Sequence, residues 1–178
     1  MPLSRRHLAT AVAITAIVSA IVSAAGVAGW LAWGGDRPGT LAPAVAYTLL
    51  DGRQLNTSAL KGQVVLVNFW ATTCSSCVAE MPQIVATYEK FRSRGYQTLA
   101  VAMSYDPPAY VASFAETRRL PFAVAIDNTG AIARSFGDVQ LTPTSVLINK
   151  RGEIVKRYLG APDFAALHTL IEQLLAET

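Results

Sequence analysis

The apolar positions of the chain fall into two regimes. From Leu8 to Trp33, 26 consecutive positions carry no charge, and their only polar side chains are Thr10, Thr15, Ser19 and Ser23. About 20 apolar residues let a helix cross a bilayer, so the run predicts a spanning helix over about 8–33. It exceeds the usual secretory h-region of about 7–15 residues, which favours an uncleaved anchor over residues 1–35. Beyond it the apolar residues come in short bursts. Val64-Val65-Leu66-Val67-Asn68-Phe69-Trp70 reads as a strand buried on both faces. A helical pattern follows from Ser76 to Arg94 and is ended by Gly95. Thr98–Met103 is a second strand, Pro107–Arg119 a helix with proline in its first turn, and Phe122–Ile126 a third strand. A short helix is expected over Ala131–Phe136. Thr144–Asn149 and Glu153–Tyr158 read as strands of a hairpin turning through Asn149-Lys150-Arg151-Gly152. Asp163 caps a last helix with Phe164, Leu167, Leu170, Ile171, Leu174 and Leu175 on one face. Tyr47–Leu55 suggests a small hairpin about Asp51-Gly52. This order predicts one α/β domain over 36–178, a mixed central sheet flanked by helices on both faces.

Composition changes this picture little. The chain has 178 residues, 52% hydrophobic and 15% charged, which excludes a disordered tail. Its net charge of +3 is too balanced for a nucleic-acid binder, so no nucleic acid is expected as a partner. Arg5 and Arg6 precede the apolar run and Trp30 and Trp33 close it. The positive-inside bias therefore places the N-terminus in the cytoplasm and residues 36 onward outside. Ser4-Arg5-Arg6-His7-Leu8 also resembles a twin-arginine export signal, and Val22-Ser23-Ala24 offers a small-residue cleavage site. Gly34-Gly35-Asp36-Arg37-Pro38-Gly39 reads as a short tether.

Two cysteines are too few for a disulfide scaffold, but they stand together in Trp70-Ala71-Thr72-Thr73-Cys74-Ser75-Ser76-Cys77. The pair falls between a buried strand and the start of a helix. Unpaired backbone N–H groups and the helix dipole there stabilise negative charge, favouring a thiolate at Cys74. Thiolates are the attacking species in disulfide exchange. The placement predicts attack by Cys74 on a partner's disulfide, then resolution of the mixed disulfide by Cys77. Persistent disulfides exist outside the cytoplasm, where the anchor would hold the domain.

Phe69-Trp70-Ala71-x-x-Cys74-x-x-Cys77, followed by Glu80-x-Pro82, resembles the TlpA-like branch of the thioredoxin superfamily. Leu141-Thr142-Pro143-Thr144 before one strand and Asn149-Lys150-Arg151-Gly152-Glu153-Ile154 after it extend the likeness over about residues 40–175. The resemblance implies a thioredoxin-like fold, and a single-pass protein of the bacterial inner membrane whose catalytic domain lies in the periplasm. It implies a cis bond before Pro143, packed against the active disulfide, with Thr142 offering backbone groups to a client peptide. Trp70, Thr142 and Pro143 are the expected substrate-binding residues. Plain thioredoxins carry Trp where this chain has Thr73, and a buried aspartate where it has Asn68. Glu80 matches a family glutamate and is the expected proton acceptor for Cys77, a role that a burial-raised pKa suits. The alternative is an acid favoured simply by the helix dipole.

The resemblance further implies a reductase of protein disulfides serving cytochrome c maturation or copper-site assembly. Its dithiol would be kept reduced by a transmembrane thiol donor of the DsbD/CcdA type. No cofactor or metal beyond the redox-active disulfide, and a monomer, are expected. Three alternatives compete. An oxidase of the same fold differs only in reduction potential, which Ser75-Ser76 do not reveal. A peroxiredoxin-like peroxidase would need threonine and proline where the chain has Ala71 and Val67. A Cu(I) carrier suits two thiolates, but only His7 and His168 are present to join them. His168 is read as a surface or packing residue, Pro82 as a helix kink, and Arg118-Arg119 as a solvated helix end. Met103 and Tyr105-Asp106-Pro107-Pro108 either flank the site or simply end a strand and begin a helix.

Overall fold

The computed structural model describes residues 39–177. The anchor expected over 1–35 lies outside them. No helix among the described residues is long and apolar enough to cross a membrane.

The strands are β1 (Ala46–Thr48), β2 (Gln54–Asn56), β3 (Val64–Trp70), β4 (Tyr96–Ala102), β5 (Ala123–Ile126), β6 (Thr144–Ile148) and β7 (Ile154–Leu159). The α-helices are α1 (Ser75–Phe91), α2 (Pro108–Thr117), α3 (Ala131–Ser135) and α4 (Phe164–Ala176). Five strands form the central sheet in the order β5-β4-β3-β6-β7. β3, β4 and β5 are parallel, whereas β6 and β7 join antiparallel, so the crossovers precede the hairpin as the alternation predicts. β1 and β2 pair as a separate hairpin.

Side chains alternate across a strand, and β3 shows what that does here. Val64, Leu66 and Trp70 pack with Cys77, Met81, Ile84 and Phe91 of α1, Val111 of α2, and Leu167, Ile171 and Leu174 of α4. Val65, Val67 and Phe69 face the opposite way, onto Tyr47, Leu49, Ile132 and Phe136. Each fully buried side chain of this size contributes about 1.5–3 kcal/mol relative to exposure. The second face departs from the expected pair of helical layers. It is covered by the short helix α3 together with β1 and the segment that follows it.

Helix ends and strand ends lie within three residues of the sequence reading, and β3 matches it at both ends. α1 stops at Phe91 and the chain tightens into a 3₁₀ turn over Arg92–Arg94 before Gly95. Gly95 has φ +92°, a left-handed conformation that glycine adopts without a Cβ penalty. A second 3₁₀ turn, Thr57–Leu60, had no sequence counterpart; the Asn56 side chain accepts the Ser58 N–H at its start. Asp163 caps α4 as expected, accepting the N–H groups of Ala165 (2.9 Å) and Ala166 (3.1 Å).

Candidate active site at the start of the first long helix

Central strand β3 runs straight into the dithiol. Cys74 and Cys77 are joined as a disulfide with Cα atoms 5.2 Å apart. Cys74 is the N-cap of α1: its backbone is extended, and its Sγ accepts the Cys77 N–H at 3.2 Å. The Ser76 hydroxyl lies 3.4 Å from the same sulfur. A sulfur held at a helix start faces donors that have no intrahelical partner, an arrangement that favours its anionic form. The two sulfurs differ in access. Cys74 is half-buried and flanked by exposed Thr73, Ser75 and Ser76, whereas Cys77 has no exposed surface.

Glu80 sits one helical turn beyond Cys77, so both side chains leave the same face of α1. It is buried, and burial pushes its carboxyl above the ordinary glutamate range, opposed by a hydrogen bond from Asn68. That bond runs from Asn68 Nδ2 to Glu80 Oε1 at 3.0 Å. The other amide hydrogen reaches Ser145 Oγ at 2.9 Å. Asn68 stands directly opposite Ser145 in the β3–β6 register, which is why a strand residue and a residue 77 positions later share one amide. Asn68 Oδ1 and Glu80 Oε2 are both buried without a partner.

The loop between β3 and α1 is held from outside. Asp106, buried after β4, accepts the Thr72 N–H through Oδ2 and the Thr72 hydroxyl through Oδ1, each at 2.6 Å. Its neighbour Tyr105 reaches the other wall of the site, with its hydroxyl 3.2 Å from the Thr142 hydroxyl. The Thr142–Pro143 peptide bond is cis. Pro143 immediately precedes β6, one position past the Phe69–Thr144 pair, which sets it across from Trp70 at the end of β3. Trp70 is wholly buried, its ring 5.1 Å from that of Phe114. Beside Thr72 and Thr73 lies an open depression of about 430 Å³, lined by Tyr110, Ser113, Phe114, Thr117 and Arg118.

The structure thus gathers Cys74, Cys77, Glu80, Trp70, Thr142 and Pro143 at one end of the β3–β6 pair. Sequence reasoning missed three contributors. Asn68 was seen only as the absence of an aspartate, although a polar residue in an otherwise apolar buried strand is itself a signal. For Asp106 the sequence supports a site residue and a helix cap equally. Ser145 carried no signal, since its partner is set by strand register. His168, read as a surface or packing residue, packs: it lies edge-on to Phe91 at 5.3 Å and bonds the Thr87 hydroxyl at 2.9 Å. Among the described residues no group of His, Cys, Asp and Glu could hold a metal ion.

A paired C-x-x-C capping the helix that follows the central strand of a thioredoxin-like sheet defines a thiol–disulfide oxidoreductase. The chain belongs to the Redoxin family, which matches residues 37–171. It is similar to the thiol–disulfide oxidoreductase ResA of Bacillus thuringiensis subsp. konkukian (strain 97-27), with 35% identity over 122 residues, 68% of this chain and 69% of that one. ResA of Bacillus subtilis (strain 168) is 32% identical over 130 residues, 73% and 72% of the two chains. A solution structure of a candidate thioredoxin from Neisseria meningitidis superposes with TM-score 0.72 and 39% identity, over 78% of this chain and 93% of that one. A candidate thiol:disulfide interchange protein DsbE from Chlorobium tepidum gives TM-score 0.73 and 28% identity, over 80% and 100%.

Proposed function

We propose that this oxidoreductase is a disulfide reductase working outside the cytoplasm, tethered to the bacterial inner membrane by the apolar run 8–33. The observation that carries this reading is the pairing of a half-exposed sulfur at Cys74 with a buried sulfur at Cys77, one turn from the buried carboxyl of Glu80. In the reduced protein the Cys74 thiolate attacks a client disulfide, forming a mixed disulfide and releasing one client thiolate. The Cys77 thiol gives its proton to Glu80 and attacks Cys74. The second client sulfur leaves as a thiolate and takes a proton; two electrons have passed to the client, and Cys74–Cys77 is oxidised. Thr142 and Pro143 flank the mixed disulfide and Trp70 backs it. A transmembrane thiol donor of the DsbD/CcdA type would restore the dithiol. Factors of cytochrome c maturation or copper-site assembly are the expected clients.

Equilibration of the full-length chain with glutathione tests the direction. A potential below about −150 mV supports a reductase, and one above that value overturns it in favour of an oxidase. Cys77→Ala, which cannot resolve a mixed disulfide, should accumulate client adducts in cells at Cys74. Recovery of no adduct would overturn the assignment of Cys74 as the attacking residue.

A further inference from the structure

The Asn68 amide spends both of its hydrogens, one on Glu80 Oε1 and one on Ser145 Oγ, while its own oxygen is buried and unpaired. Glu80 Oε2 is buried and unpaired beside it. A buried polar atom without a partner is uncommon in native structures and calls for an explanation. Two such atoms on one hydrogen-bonded pair suggest that the pair is shown in one of its two states. A carboxylate only accepts hydrogen bonds, but a protonated carboxyl also donates, and a primary amide carries a donor end and an acceptor end. Turned by half a rotation, the Asn68 amide would place its oxygen where its nitrogen now stands. It would then accept from protonated Glu80 and from Ser145, whose hydroxyl both donates and accepts. Either orientation leaves one amide atom unpaired, so both protonation states keep a partner, the bond to the charged carboxylate being the stronger of the two.

We propose that Asn68, backed by Ser145, is a two-way positioning partner for Glu80, donating to its carboxylate and accepting from its carboxylic acid. This rests on the proton-shuttle reading of Glu80 and goes beyond it. A shuttle must hold its proton and then give it up, and a fixed donor would favour only the anion. The surroundings supply no other switch. Cys77 shares the helix, α4 presents Leu167 and Ile171 to this face, and Tyr158 of β7 is next after Ser145 in the strand register. Burial and then the charge of Asp163 raise the Tyr158 hydroxyl above its ordinary range, so it stays neutral throughout, and no charged side chain contributes to the shift of Glu80.

The test is an NMR titration of the Glu80 carboxyl and the Asn68 side-chain amide in the oxidised, full-length protein. The two signals should share one midpoint, and the amide hydrogens should lose their bond to Glu80 on the acid side. Bonds to ionised groups are the stronger ones, so Asn68→Ala should raise the carboxyl midpoint by about one pH unit. Ser145→Ala should raise it by less, and the pH profile of mixed-disulfide release should move with it. A purely structural role would lower thermal stability without moving either midpoint. Amide hydrogens that stay bonded to Glu80 in acid, or an unmoved midpoint in either folded variant, would overturn the proposal. If Asn68→Ala does not fold, Ser145→Ala and the wild-type amide titration decide. Failure of the shuttle reading is separate: there Glu80→Gln would leave the pH dependence of release intact, whatever the carboxyl titration shows.

Discussion

Asp106 holds Thr72 twice, taking its backbone N–H and its hydroxyl at 2.6 Å each. A carboxylate from the β4–α2 connection therefore fixes the loop that delivers Cys74, two residues before the nucleophilic position. Bonds to charged groups contribute about 1.5–3 kcal/mol each when buried. Asp106→Ala should therefore cost about 3 kcal/mol in urea denaturation. Asp106→Asn, which keeps one acceptor, should cost about half as much. Equal, negligible losses in both would show that the loop holds itself.

Glu80 should make stability fall as pH rises. Its folded-state pKa is raised by burial, so the native state binds the proton more tightly than the unfolded chain does. The associated stability is fully present below the unfolded glutamate value of about 4.3 and is lost as pH rises through the folded value. Glu80→Gln, neutral throughout, should gain on the wild type as pH rises above about 4.3, and denaturant midpoints measured upward from there check it. A constant difference across the range would contradict the burial argument.

His168 should act in the opposite sense. Burial, aided by the charge of Lys90, lowers its pKa, while Glu172 opposes. Its contribution is present above the unfolded value of about 6.5 and is lost as pH falls through the folded value. Melting temperatures of the wild type should drop between about pH 7 and pH 5 relative to His168→Phe, in which nothing titrates at that position.

The α4 cap offers a control on a different helix from the dithiol. Asp163→Ala removes the acceptor for two N–H groups and should cost about 1 kcal/mol. It should leave the rate of thiol–disulfide exchange unchanged; a slowed rate would mean that α4 packing reaches the site.

The elements around the dithiol were legible because period and punctuation agree there. β3 is an unbroken apolar run of the length and β-branched content of a central strand, and Gly95 marks the end of the first long helix. The placement of the dithiol at the start of that helix was legible too, although the pattern begins the helix at Ser76 and the structure caps it with Cys74. What escaped the sequence depends on register and on loops. Ser145 meets Asn68 only because β6 pairs with β3 in one particular alignment. Asp106 meets Thr72 only because parallel β3 and β4 end side by side. The covering of the second sheet face by β1 and α3 was also hidden, because three-residue and five-residue elements carry too little pattern to place.

The unequal exposure of the two sulfurs fixes how the oxidised protein is opened. An incoming thiolate from solution meets Cys74 and finds Cys77 sealed within the core. On the proposed cycle the sulfur expelled is therefore Cys77, and it departs within the core, one helical turn from the buried carboxyl of Glu80. How readily the bond is opened thus depends on the basicity of that hidden sulfur, and a donor protein alters the exchange only through the outer one.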